Sequence, residues 1–109
     1  KYQPLLSENS LEEDLKIAMR RCDAIAVTEN ATGQETSMEK IQAFRAGVGD
    51  FPLVIAAGMT QENAAKQLKI GDMAIVGSYF KDNYKDIGDV SKEHVTEFMR
   101  IVKQIREEV

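Results

Sequence analysis

Pro52-Leu53-Val54-Ile55-Ala56-Ala57-Gly58-Met59-Thr60 is the stretch whose reading decides the fold. It is an uninterrupted apolar run with a proline in front, a glycine behind, and then a hydroxyl residue able to start a helix. A short run without polar alternation suits a parallel strand covered on both faces. The reading therefore predicts a strand over Leu53 to Ala57, a turn at Gly58, and a helix from about Gln61 to Leu68 capped by Thr60.

The same unit recurs on either side. Upstream, Ser10 and Glu13 have capping-box spacing and open a predicted helix from about Leu11 to Arg21. Its apolar stripe is Leu11, Leu15, Ala18 and Cys22, opposite Glu12, Asp14, Lys16 and Arg20. The apolar run Ala24-Ile25-Ala26-Val27 follows, then a polar loop from Thr28 to Glu35. Thr36 with Glu39 forms a second capping box before a helix carrying Met38, Ile41, Phe44 and Val48, which Gly47 and Gly49 are placed to stop. Downstream, Gly71-Asp72 leads into Met73-Ala74-Ile75-Val76, closed by Gly77-Ser78. A polar loop from Lys81 to Asp89 ends at Ser91, the expected cap of a last helix over about Lys92 to Glu107, with Val95, Phe98, Met99, Val102 and Ile105 on its buried side.

The predicted order is αβαβαβα with short connections, an α/β fold in which right-handed crossovers make the three strands neighbours in one parallel sheet. Three strands leave two unpaired edges, an awkward state for a free-standing domain. The sequence thus predicts β-pairing from outside this stretch, supplied either by an N-terminal part of a longer chain or by another copy through the strand edges. Lys1 is not a methionine, and Tyr2-Gln3-Pro4-Leu5-Leu6 reads as an entry in mid-fold, so a longer parent is expected.

The 109 residues carry a formal net charge of -4, with 43% hydrophobic and 29% charged residues, the balance of an ordinary globular segment. Without a basic cluster the chain lacks what phosphate-backbone binding needs, which argues against nucleic acid as a partner. Cys22 is the single cysteine, so no intrachain disulfide can form and a reducing, cytoplasmic location is expected. No apolar run approaches the roughly 20 residues that cross a bilayer.

In parallel α/β folds ligands sit beyond the C-terminal strand ends. Here those ends are Thr28-Glu29-Asn30-Ala31-Thr32-Gly33, Gly58-Met59-Thr60 and Gly77-Ser78-Tyr79-Phe80. Glycine there lets backbone N–H groups approach an anion, although such glycines are as often plain turn residues. Thr28, Glu29, Asn30 and Thr32 are candidates for a polar pocket wall, or for a merely hydrophilic connection. Lys1 is either an active-site amine at a strand end or a solvated terminal residue. His94 reads as a surface histidine and Cys22 as a buried packing residue. No His, Cys, Asp and Glu spacing suggests a metal site, no Ser-His-Asp set is evident, and no cofactor is predicted.

Five segments in order resemble the C-terminal part of the BtpA/SgcQ family, which is itself similar to aldolase-type and ribulose-phosphate-binding TIM barrels. They are Lys1-Tyr2-Gln3-Pro4-Leu5, Ser10-Leu11-Glu12-Glu13, Asp23-Ala24-Ile25-Ala26-Val27-Thr28 with Ala31-Thr32-Gly33, Gly58-Met59-Thr60-Gln61-Glu62-Asn63, and Ile75-Val76-Gly77-Ser78-Tyr79-Phe80-Lys81. The resemblance implies a partial (β/α)8 barrel in which residues 1 to 6 end the fifth strand and the three later strands are the sixth to eighth. It further implies that Gly58, Gly77 and Ser78 line a phosphate position between the last two strands. Tyr2 stands where the family tends to have histidine, Glu29-Asn30 where it has Gly-Lys, and Ala57 where it has serine. A negative Glu29 at the mouth would repel an anion. Three functions stay open on this reading: an enzyme of small phosphorylated metabolites, a non-catalytic assembly or stability factor like the photosystem I biogenesis member of the family, and a flavodoxin-like binding module.

Overall fold

The computed structural model describes residues 6–108. The stretch at Lys1 to Leu5, with the expected strand end and the Lys1 amine, lies outside the described residues. The elements run α1 (Leu11–Met19), β1 (Ile25–Val27), α2 (Met38–Val48), β2 (Leu53–Ile55), α3 (Ala64–Leu68), β3 (Met73–Ala74), a 3-10 turn (Ser78–Phe80) and α4 (Lys92–Glu107). The three strands form one parallel sheet in the order β1-β2-β3. The α/β class and the sheet order are those expected from sequence.

Local signals explain most boundaries. The Ser10 hydroxyl accepts from the Glu13 amide at the start of α1, and the Ser91 hydroxyl accepts from the His94 amide at the start of α4. Each such cap stabilises a helix by about 1 kcal/mol. The second capping box does not form: Ser37, not Thr36, caps α2 by accepting from Lys40 N–H. Thr36 is fully buried and its hydroxyl instead donates to the Ala57 carbonyl at 2.9 Å. Gly49, at φ 63°, ends α2, whereas Gly47 stays inside the helix. Helix α3 starts three residues later than expected, because residues 61–63 form a turn after Thr60.

Side-chain alternation decides which face of the sheet is covered. Ile25, Val27, Leu53 and Ile55 are buried and join one core with Leu15, Ile41 and Phe98 from the helices. The intervening residues Ala26, Val54 and Met73 are aligned in register across the three strands. Ala26 is exposed, and Met73 and Ile75 are 43% and 60% exposed. Among the described residues, only one face of the sheet is covered.

The N-terminal ends of β2 and β3 are clamped by Arg45 of α2. Its guanidinium donates to the carbonyls of Ile70 (2.6 and 2.9 Å), Gly49 (2.8 Å) and Phe51 (3.0 Å) and to Asp72 Oδ2 (2.8 Å). Asp72 Oδ2 also accepts the Leu53 amide at 3.0 Å. The Arg45 hydrogen bond, and then that from Leu53, hold the Asp72 carboxyl below the ordinary aspartate range. Cys22 lies beyond the end of α1, where the 3.6-residue period no longer applies. It is exposed rather than buried, with its thiol donating to the Ala18 carbonyl at 3.1 Å.

Candidate functional site

Three loops follow the strands at the end of the sheet away from Arg45, and they touch one another. Gly58 has φ 69°, and the backbone of Gln34 and Glu35 crosses directly over its α-carbon. A β-carbon at Gly58 would stand 2.2 Å from the Gln34 carbonyl oxygen, so only glycine lets the β1 loop rest on the β2 loop. Gly33 lies against the β3 loop, where a β-carbon would meet Ser78 Oγ at 3.3 Å. Gly77 differs: its φ is -123°, and a β-carbon there would meet nothing within 4 Å.

Asn63 fixes the first two loops together. This buried side chain donates to Glu35 Oε1 (2.7 Å) and to the Gly58 carbonyl (3.0 Å), and it accepts the Thr60 amide (2.8 Å). Gln67 adds a bond from Nε2 to the Thr36 carbonyl at 3.1 Å. The β1 loop is thus held by side chains of the next unit as well as by its own.

Between the loops is an open cleft of about 450 Å³. Gly33, Gly58, Gly77 and Ser78 line it with Thr32, Thr60, Glu62, Tyr79 and Tyr84. The structure thereby brings Thr32, Gly58, Gly77 and Ser78 of the sequence-derived candidates to one mouth. Thr28, Glu29 and Asn30 do not line this cleft. The Thr28 carbonyl accepts from Lys40 Nζ, and Glu29 Oε1 accepts the Ser37 amide at 3.1 Å, so the Glu29 carboxylate serves the N-terminus of α2. Asn30 is exposed. A second, shallower cleft of about 410 Å³ shares Thr32, Gly33, Ser78 and Tyr84 and adds Lys85 and Asp86.

The aromatic wall was not read from sequence. Tyr84 adopts φ 58°, the only non-glycine residue with positive φ among those described. Its ring stacks on His94, with centroids 4.4 Å apart and planes 13° from parallel. The Nδ1–H of His94 donates to the Lys81 carbonyl at 2.7 Å. His94 is therefore a half-buried support of the wall rather than a free surface residue. Tyr79 lies 5.4 Å from Tyr84 and donates its hydroxyl to Gln61 Oε1 at 3.3 Å. Burial first, and the neighbouring Glu62 carboxylate second, push the Tyr79 hydroxyl above the ordinary tyrosine range. Among the described residues no group of three or more His, Cys, Asp or Glu could hold a metal ion, and no helix is long and apolar enough to cross a membrane.

The sequence profile of the BtpA family matches residues 2–104, nearly the whole chain. The chain belongs to the BtpA family. An uncharacterised protein of Pyrococcus abyssi is 27% identical over 86 residues, covering 79% of this chain and 33% of that protein. An uncharacterised protein of Archaeoglobus fulgidus is 35% identical over 81 residues, 74% of this chain and 31% of its own length. This BtpA-family chain thus spans about a third of the curated relatives it matches. No solved structure gives a significant match.

Proposed function

We propose that this chain forms the last three strand units of a (β/α)8 barrel, and that its loops bind a small phosphorylated metabolite at the barrel mouth. The observation that carries the reading is the convergence of the glycine-bearing ends of all three strands on one cleft. Backbone amides at Gly58, Gly77 and Ser78 supply short, uncharged donors of the kind that hold phosphate oxygens, with the Ser78 hydroxyl beside them. Glu29, the residue expected to oppose an anion, is engaged at α2 instead. In this reading the phosphate is a handle that fixes the ligand while groups from elsewhere in the longer protein face its carbon skeleton.

Ligand-induced stabilisation tests the site. At about 100 times Kd a ligand stabilises the folded state by about 2.7 kcal/mol, on the order of 10 °C for a domain of this size. Inorganic phosphate and ribose 5-phosphate are both expected to raise Tm. In Gly77→Leu the new side chain enters open space at an unstrained φ, so the melt without ligand should stay within about 3 °C while the ligand-induced rise disappears. An unchanged rise in the variant, or none in the parent chain, counts against the cradle.

The bare sheet face with Met73 and Ile75 favours a second reading, in which the protein acts through association rather than catalysis, as an assembly or stability factor would. The outer edges of β1 and β3 have the same consequence for the 109-residue chain, which is expected to self-associate at micromolar concentration. Light scattering that finds a monomer at that concentration would oppose the association reading.

A further inference from the structure

Glu62 carries the one carboxylate among the side chains lining the cleft; no lysine, arginine or histidine is in its lining. A ligand bearing only negative charge would meet this carboxylate without a cationic side chain in the same cleft to offset it. Lys85 lies across the Gly33–Ser78 contact, in the adjoining cleft, where Asp86 accompanies it. Glu62 and the two tyrosine rings, whose centroids are 5.4 Å apart, line the same cleft as the glycines. Tyr84 is kept in the wall by the His94 ring stacked on it, against a left-handed backbone conformation that costs energy to hold. A carboxylate beside aromatic rings is the environment that attracts an ammonium group, by charge and by the ring quadrupole together.

We propose that the cleft selects a zwitterionic phosphate ester: the phosphate lies at Gly58, Gly77 and Ser78, and an amino group lies at Glu62, Tyr79 and Tyr84. This rests on the phosphate reading above and adds the ligand's second recognition group. The selectivity is modest, because Glu62 is exposed and water screens it.

The test is a pair of probes that differ in one group, glucosamine 6-phosphate and glucose 6-phosphate, titrated calorimetrically into the full 109-residue chain alongside inorganic phosphate. The amino sugar is expected to bind about fivefold more tightly than the neutral one, the scale of an exposed charge pair with a cation–π contact. Glu62→Gln should abolish that preference by tightening the binding of glucose 6-phosphate, which no longer meets the carboxylate, and weakening that of the amino sugar. Equal binding of the two sugars with retained phosphate binding would overturn the zwitterion proposal alone. A preference that survives Glu62→Gln would overturn its assignment to Glu62. Absence of binding by all three probes would overturn it together with the phosphate reading.

Discussion

Gly58→Val is expected to destabilise the chain by about 3–5 kcal/mol, the combined scale of a disfavoured left-handed backbone and an overpacked contact. Two independent facts lead there. The residue sits at φ 69°, where a β-branched side chain is strained whatever space surrounds it. Its β-carbon would also fall 2.2–2.3 Å from the backbone of Gln34 and Glu35, atoms that cannot rotate away as a flexible side chain would. Since small domains are stable by only about 5–15 kcal/mol, the loss consumes a large part of the total. Urea denaturation of both proteins measures it through the transition midpoint. A shift worth less than about 1 kcal/mol, within the ordinary range for a single substitution, would mean that the two loops do not pack as described.

Asn63→Ala is the second large effect, expected at about 2–3 kcal/mol because removing a buried hydrogen-bonding side chain leaves its partners unsatisfied. Three partners are affected: the Gly58 carbonyl, the Thr60 amide and the Glu35 carboxylate. The loss should be local in its structural consequence, loosening the β1 loop from the β2 loop while the sheet persists. Urea denaturation gives the energy, and amide hydrogen exchange should show faster opening at Thr60 and in residues 28–36 than in β2. Uniform acceleration across the chain, or none at the loops, would show that Asn63 is not the staple between them.

The succession of elements was legible because each unit carries its own punctuation: an apolar run, a glycine, a capping hydroxyl. Legibility ended where neighbouring residues compete for one role. Thr36 and Ser37 both offer a hydroxyl at the start of α2, and the Ala57 carbonyl, far away in sequence, draws Thr36 inward and leaves the cap to Ser37. The bare face was hidden for a different reason. An alanine in an apolar run is compatible with either environment, so Ala26 gave no sign that its side of the sheet is open.

The mouth was legible to the same degree. Strand-terminal position alone directs attention to Gly58 and Gly77, since every strand of a parallel sheet ends on the same side. The sequence predicts helix after Thr60, which gives Glu62 no place at the mouth, whereas the structure has a turn at residues 61–63 and Glu62 lines the cleft. Tyr84 and His94 are ten residues apart, and their stacking depends on a left-handed tyrosine that no propensity predicts. Glu29 does not line the cleft, and its carboxylate accepts the Ser37 amide at the start of α2 instead.

The Arg45 clamp has an evolutionary corollary. It anchors β2 and β3 at the end of the sheet remote from the cleft, through backbone carbonyls whose identity does not depend on side chains. Glu62, Gly77 and Tyr84 take no share in that anchorage. Descendants can therefore exchange those positions, and with them the chemistry presented to a ligand, while inheriting the same scaffold.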